Sequence, residues 1–445
     1  MHQRMHQSPR SFLRNLGRHA IQTRRAALLP ALLSVFVAAG ACGRQATPVR
    51  ATTVAASPAL HSEAEIRDLD IVFFTERFHR DPSGGSDLAH LGALLLQRSR
   101  ETGDPHDAIA AEEAARHSIK NRGARNGQAR QILASALLAQ HRFAEALAIS
   151  KQLRDESPDA IPLRAAVGEI EMELGQYDSA RVSFSSVPPA LGNLSVIPRL
   201  SRWAELEGHP DRARTLLRGA LDVAMRTPGI PREQLAWFWL RAGDIELRTG
   251  QPARADSAYL QGLALHPGDY RVLSALARSA EMQGRHRDAI RYGEDAIAET
   301  LDPATLGTLS DAYAALGDSA RSGENARALE VAVSRQPGAY HRAWSLFLID
   351  HNRRLPAVTQ KIRQELRTRQ DVYGYDLLAW ALHKQGKDGE ALVAMRQAMR
   401  EGTVDAQLFY HAGMIERSLG HTAEAQTDLA RAHAVNPYFH PAAAN

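Results

Sequence analysis

Apolar residues recur at helical spacing along most of the chain, and a turn interrupts them at a nearly constant interval. The turn position is usually repeated every 33 to 35 residues, and glycine is its commonest occupant. Its ten occupants are Gly103, His141, Gly175, Gly208, Gly250, Gly284, Gly317, Asn352, Gly386 and Gly420. Glycine readily adopts the left-handed backbone conformation that ends a helix. The interval therefore predicts a row of helical hairpins.

Two columns of small residues accompany these turns. Five residues after each turn stand Ala108, Ala146, Ala180, Ala213, Ala255, Ala289, Ser322, Ala357, Ala391 and Ala425. Seven residues before it stand Leu96, Ala134, Gly168, Ser201, Gly243, Ala277, Ser310, Ser345, Ala379 and Gly413. Helices approach each other most closely where their side chains are short. We therefore expect the two helices of each hairpin to cross at these positions.

This pattern resembles the tetratricopeptide repeat (TPR) family over about 350 of the 445 residues. Pro158, Pro267 and Pro437 supply the proline that the family places after its second helix. The resemblance implies an all-α fold, a right-handed α-solenoid of about ten hairpins. Hairpins 1 to 4 would occupy residues 86–226 and hairpins 5 to 10 residues 232–440, followed by a short tail at 441–445. Each hairpin of such an array buries its apolar stripe against its neighbours, so both ends need caps.

An N-terminal capping helix is predicted within residues 62–85. Ser62 and Glu65 have the spacing of a capping box. Four apolar residues follow at helical spacing and are expected to face the stack: Ile66, Leu69, Val72 and Phe73. A docking helix for a partner is the alternative, and capping is preferred.

Residues 1–41 have the features of an export signal. Six arginines and no acidic residue precede or flank the apolar run from 26 to 41, which contains Pro30. Sixteen residues fall short of the roughly 20 that span a bilayer. The single cysteine, Cys42, follows directly and resembles the lipidation site of a bacterial lipoprotein. That resemblance implies a lipid anchor, with the periplasmic face of the outer membrane as the expected location; cleavage of an ordinary signal before an unmodified Cys42 is the alternative.

Residues 42–61 are rich in Ala, Thr, Pro and Ser and are predicted to form a flexible linker of roughly 25 Å average span. Removal of the leader also changes the charge. The chain has 54 basic and 50 acidic residues, and without the six leader arginines 48 basic residues remain. The processed protein is thus close to neutral, which argues against nucleic acid as a partner.

The repeat pattern is irregular in two places. The interval from Gly208 to Gly250 is 42 residues, and the extra length includes residues 227–231, expected to be an insertion or a kink. The hairpin around Asn352 lacks its turn glycine and carries a basic patch that could contact an acidic partner or anionic headgroups. The patch consists of Arg342, Arg353, Arg354, Lys361, Arg363 and Arg367. A solvated helix face is the commoner explanation of such a run.

The first helix of each hairpin is expected to turn one face toward a concave groove. In hairpins 9 and 10 this face would hold Tyr373, Asp376, Trp380, His383, Lys384, Tyr410, Met414 and Arg417. In hairpin 5 it would hold Trp237, Leu240, Asp244 and Arg248. Aromatic, methionine and arginine side chains are typical interface anchors, so a peptide or helix of a partner could bind here. Packing of the tryptophans between hairpins is the alternative.

No sequence motif indicates catalysis, a metal site, a cofactor or a small-molecule substrate. We therefore expect a non-enzymatic protein–protein interaction scaffold whose partner is an envelope protein or a peptide segment of one. The alternative is an enzyme or a small-ligand receptor with a site on the solenoid. A deep, closed pocket with converging titratable groups would favour that alternative.

Overall fold

The computed structural model describes residues 62–123, 126–188, 193–335 and 342–439. Within these ranges the regular structure is helical throughout, which confirms the all-α prediction. The helices are α1 Glu63–Arg80, α2 Gly85–Thr102, α3 Pro105–Arg122, α4 Gly127–Ala139, α5 Phe143–Glu156, α6 Ile161–Glu173, α7 Tyr177–Ser185, α8 Ile197–Leu206, α9 Pro210–Arg226, α10 Arg232–Arg248, α11 Pro252–Leu265, α12 Tyr270–Met282, α13 His286–Glu299, α14 Pro303–Ala315, α15 Ser319–Arg335, α16 Arg342–Asp350, α17 Leu355–Glu365, α18 Val372–His383, α19 Asp388–Ala398, α20 Ala406–Ser418 and α21 Thr422–Val435.

Helices α2 to α21 form ten consecutive hairpins, and α1 precedes them. Hairpin 1 is α2 with α3, and the pairing continues to hairpin 10, α20 with α21. All ten predicted turn residues have a positive φ. This includes His141 at 58° and Asn352 at 53°, which adopt the left-handed conformation without being glycine. The turn interval in the sequence thus marks the same backbone feature in every hairpin.

The small residues lie where the two helices of a hairpin cross. A Cβ on Gly243 would lie 2.3 Å from the ring of Tyr259 on the second helix. Ser201 Oγ donates a hydrogen bond of 2.9 Å to the carbonyl of Ala213 across hairpin 4. The close approach expected from the two columns is therefore present in these hairpins.

The capping box at the start of α1 is formed, because Ser62 Oγ accepts from Glu65 N–H while a Glu65 carboxylate oxygen accepts from Ser62 N–H. The predicted packing face of α1 is wrong, however: Ile66, Leu69, Val72 and Phe73 are between 41% and 55% exposed. Helix α1 instead packs through Ile71, Phe74 and Phe78. The rings of Phe74 and Phe78 stack on His90 of α2 and His117 of α3, which rotates the helix away from the expected face.

The extra residues of hairpins 4 and 5 lengthen two helices. Both α9 and α10 have 17 residues, and residues 227–231 connect them, with Gly229 at a φ of 78°. Ile230 packs on the hydrophobic cluster of hairpins 3 to 5, which includes Leu217 before the connection and Phe238 after it. The core is thus continuous across the insertion.

Successive turns of the superhelix contact each other. The turn of hairpin 1 meets the loop after hairpin 6, where Thr300 Oγ1 donates to Thr102 O at 2.7 Å. The turns of hairpins 3, 4 and 5 meet the loops after hairpins 8, 9 and 10, through Gln370 N–H to Leu174 O, Thr403 Oγ1 to Leu206 O and Asn436 Nδ2 to Leu247 O. The turns of hairpins 1, 3, 4 and 5 therefore each contact the loop that follows the hairpin five places later. We call this set of four contacts the interlock.

Candidate functional site

The interlock encloses part of the concave face as a cavity of about 320 Å³. One wall consists of the first helices of hairpins 3, 4 and 5, which are α6, α8 and α10. The opposite wall is formed by Arg342 and by residues 369–373, which lead into α18. The concave side is consequently a partly closed chamber here, where the sequence predicted an open groove.

The helices of this wall carry charged residues at similar sequence positions before each turn glycine. Glu169 and Glu173 stand six and two residues before Gly175, and Arg202 and Glu205 stand six and three residues before Gly208. In α10, Trp237, Arg241 and Arg248 line the same chamber. These residues lie on the inward face because they share the helical register of the residues predicted for the groove of hairpin 5.

An ionic network joins the two walls. Arg369 Nη2 donates to Glu173 Oε2 at 2.6 Å, and Arg202 on α8 donates to the same carboxylate. Arg342 donates both of its Nη groups to Asp371. Burial opposes ionisation of Glu173, but Arg202, Arg369 and Arg342 together lower its pKa to about 2. Glu173 is therefore a carboxylate at neutral pH and holds hairpin 3 to the loop after hairpin 8.

A second group of polar contacts lies at the α10 end of the chamber. Arg248 Nη2 donates to Glu205 Oε2 at 2.6 Å, and Arg241 Nη2 lies 3.5 Å from the same oxygen. Tyr373 donates to Asp405 at 3.4 Å. Burial raises the pKa of Asp405, and burial together with the charge of Asp405 raises the pKa of Tyr373, so the phenol stays protonated.

Two arginines are the most accessible charged side chains of the chamber lining. The side chains of Arg202 and Arg248 are each 41% accessible. The lining carboxylates are less accessible, at 22% for Glu169, 16% for Glu205 and 14% for Glu173. The chamber is thus cationic at its accessible surface although acidic residues are abundant in its walls.

The structure divides the predicted groove residues of α18. Tyr373 lines the chamber, whereas Asp376 and Trp380 are buried between hairpins and do not face an open groove. Trp380 Nε1 donates to Asp350 at 2.7 Å, and its indole stacks on His411 with ring centroids 4.1 Å apart. A buried hydrogen-bonded indole is an element of the core, because the N–H has its acceptor and the ring has its packing partners.

The remaining predicted residues of hairpins 9 and 10 lie near the C-terminal end of the superhelix. His383 pairs with Asp388 at 2.6 Å, and Lys384 Nζ lies 4.9 Å from the Trp380 ring. Tyr410 and Met414 are half-buried against the cluster that contains Trp380, while Arg417 is exposed. We call Lys384, Tyr410, Met414 and Arg417 the C-terminal rim.

In hairpin 5, Trp237 and Arg248 line the chamber, and Leu240 packs in the cluster around Tyr259. Asp244 accepts from Tyr259 Oη at 3.0 Å and pairs with Arg241 and Arg278. Of the groove residues predicted in hairpins 5 and 9, Trp237, Arg248 and Tyr373 line the chamber and the others do not.

The six residues of the predicted basic patch do not form one cationic surface. Arg353 and Arg354 both pair with Glu330 of hairpin 7, and Arg363 pairs with Glu390 of hairpin 9. Arg342 points to Asp371 in the chamber, and Lys361 lies over the Trp344 ring at 5.7 Å. Arg367 is exposed. Acidic residues from neighbouring hairpins thus balance most of a charge run that looked unopposed within its own segment.

Several of the residues that line the chamber, among them Glu169, Glu173, Arg202, Glu205 and Arg369, were not predicted as site residues. The signal was present for the helical ones, since the offsets that selected Asp244 and Arg248 before Gly250 select Glu169 and Glu173 before Gly175. Cys42, predicted to be lipidated, lies outside the described residues. Among the residues that the structure does describe, no group of side chains is arranged to hold a metal ion, and no helix has the length and apolarity to cross a membrane.

Two stretches of the chain match family models of the tetratricopeptide repeat, at residues 137–195 and 236–279. They cover hairpin 3 and most of hairpin 5 together with parts of hairpins 2 and 6. The chain therefore contains tetratricopeptide repeats, and these repeats support a role in protein–protein interaction.

Similarities to solved structures are distant. The crystal structure of PilW, a widely conserved type IV pilus biogenesis factor, aligns with a TM-score of 0.40 at 19% identity over 48% of this chain and 97% of that one. The crystal structure of the APC/C hetero-tetramer Cut9–Hcn1 aligns with a TM-score of 0.33 at 12% identity over 84% of this chain and 88% of that one. Similarities of this size carry no argument about function. No curated protein matches the chain.

Proposed function

We propose that the protein is a non-enzymatic scaffold of the bacterial envelope that binds a segment of another envelope protein at its C-terminal rim. The observation that carries the proposal is the array of ten TPR hairpins, an architecture that presents extended surfaces to partners. The lipid anchor at Cys42 and the periplasmic location belong to the proposal and rest on the leader sequence.

The interlock supports the rim over the chamber as the binding surface for a helical partner. A helix about 10 Å across fills roughly 400 Å³ with each turn of 5.4 Å, which exceeds the chamber of about 320 Å³. The chamber is therefore small for a helical segment, which favours the rim. The C-terminal rim lies on the inner helices of hairpins 9 and 10 and combines an accessible arginine with half-buried aromatic and methionine side chains. These residue types are enriched at interfaces.

Site-specific photocrosslinking in the native envelope tests the rim. A photoreactive amino acid at Met414 is expected to give a discrete crosslinked species, because this side chain is only half-buried. The matched control carries the same amino acid at Val393, which is 63% exposed on α19 of hairpin 9. Equal crosslinking from both positions would contradict binding at the rim. Arg417→Glu is expected to reduce the Met414 product while the helical circular dichroism stays unchanged.

The tether is tested separately. Cys42→Ala removes the only thiol of the chain, so we expect the variant to leave the membrane fraction and to lose metabolic labelling with a fatty acid. A variant that remained in the membrane fraction would contradict the anchor and leave the rim proposal intact.

A further inference from the structure

The chamber has the size of a small-molecule site. Its volume of about 320 Å³ lies at the lower end of the range for ligand pockets, about 300 to 1,000 Å³. Its walls come from two parts of the chain about 195 residues apart, joined by the Arg369–Glu173 ion pair. The cavity therefore exists only because the superhelix closes on itself.

Two arginines in the chamber have hydrogen-bonding capacity to spare. Among the described residues, Arg248 donates only through Nη2, to Glu205, and Arg202 donates only through Nη2, to Glu173. Arg202 Nη1 lies 3.7 Å from Glu169, which is beyond hydrogen-bonding distance. A guanidinium has five N–H donors and no acceptor. Both groups can therefore still receive an anion.

The charged lining is interrupted by apolar surface. Met172, Pro198 and Leu217 contribute aliphatic surface, and Trp237 contributes a partly exposed indole. A pocket that combines guanidiniums with apolar surface selects a ligand by its charged group and its shape.

We propose that the chamber binds a small organic anion, a carboxylate on a flat apolar body, through Arg202 and Arg248. A planar carboxylate matches the fork of a guanidinium in two parallel hydrogen bonds, which a neutral amide of the same shape does not reproduce. The flat body lies against Trp237. This site is distinct from the C-terminal rim and does not depend on a protein partner.

Saturation-transfer NMR and a titration with benzoate test the proposal, with benzamide as the neutral isostere and inorganic phosphate as an anion without an apolar body. Benzoate is expected to bind, and benzamide and phosphate at least about tenfold more weakly, because each lacks one half of the recognition. Absence of benzoate binding would overturn the proposal, as would equal binding of benzamide. Binding of phosphate without binding of benzoate would show that the chamber does not select a flat apolar body.

Arg248→Gln assigns the site. Glu205 keeps Arg241 as a neighbouring cation in this variant, so the fold is expected to persist, and circular dichroism checks it. Benzoate affinity should fall about tenfold or more. Arg218→Gln on α9, an exposed arginine outside the chamber, should leave it unchanged. If Arg248→Gln does not fold, Arg248→Lys replaces it and is expected to weaken benzoate through loss of the paired hydrogen bonds. Unchanged affinity in the folded variant would overturn the assignment.

Discussion

The turns of hairpins 1, 3, 4 and 5 look the same as those of hairpins 6, 7, 9 and 10, but they have different surroundings. All eight are glycines with a φ between 68° and 80°. In the first group a Cβ on the glycine would lie 2.3 to 2.9 Å from the loop five hairpins later, whereas in the second group it would meet nothing within 4 Å. The interlocked turns therefore need glycine for two reasons, the left-handed backbone conformation and the close approach of the loop. The free turns need it only for the conformation.

Replacing a turn glycine by alanine separates these two requirements. Of the substitutions that test the interlock, it should lower the free energy of unfolding most. Gly386→Ala places alanine in a left-handed conformation, which costs about 1 to 2 kcal/mol. Gly208→Ala carries the same cost and also places a methyl group 2.3 Å from the carbonyl oxygen of Gly402, adding about 1 to 3 kcal/mol of overpacking. Denaturant unfolding of both variants measures the difference. Equal losses of stability would show that the interlock is absent in solution.

Acid should weaken the interlock at hairpin 3 in particular. The pKa of Glu173 is lowered from 4.5 to about 2 in the folded protein, so its stabilisation is complete above pH 4.5 and is lost as the pH falls toward 2. At about 1.4 kcal/mol per pKa unit this amounts to up to roughly 3 kcal/mol. The unfolding free energy of Glu173→Gln should therefore depend less on pH than that of the wild type between pH 4.5 and 2. Parallel pH profiles of the two proteins would contradict the paired carboxylate.

Two threonine substitutions compare a buried hydrogen bond of the interlock with an exposed one. We expect them to change the free energy of unfolding least. Thr403 donates to Leu206 O at 2.6 Å in a buried site, and Thr300 donates to Thr102 O at 2.7 Å in an exposed one. Thr403→Val leaves a buried carbonyl unpaired and should cost about 1 to 3 kcal/mol, whereas water replaces the lost donor in Thr300→Val, which should cost less than about 1 kcal/mol. Thermal unfolding distinguishes them, and a reversed order would contradict the burial of the hairpin 9 contact.

The local architecture was predictable from the sequence because its causes are local. A left-handed turn and a close helix crossing each require a residue type at a fixed offset, so the turn interval and the small-residue columns located all ten hairpins. Even His141 and Asn352 were recognised by position although they are not glycine.

The chamber was not predictable in the same way. Gln370 and Leu174 meet only after five further hairpins have been stacked, and no local pattern reports the accumulated rotation. The burial of Trp380 has a similar origin, because its acceptor Asp350 and its stacking partner His411 come from the hairpins before and after it. The exposed face of α1 depended on whether Phe74 and Phe78 or Phe73 would face the stack, and helical spacing alone allows both.

The interlock also fixes the number of hairpins between each paired turn and loop. Open solenoids gain or lose a repeat with little consequence, since each repeat touches only its neighbours. Here the loops that end hairpins 6, 8, 9 and 10 each meet a turn begun five hairpins earlier. Deletion or duplication of a hairpin that lies between a turn and its loop would move that turn and loop out of alignment. The interlocked hairpins should therefore tolerate substitution within a hairpin better than the loss or gain of a whole one.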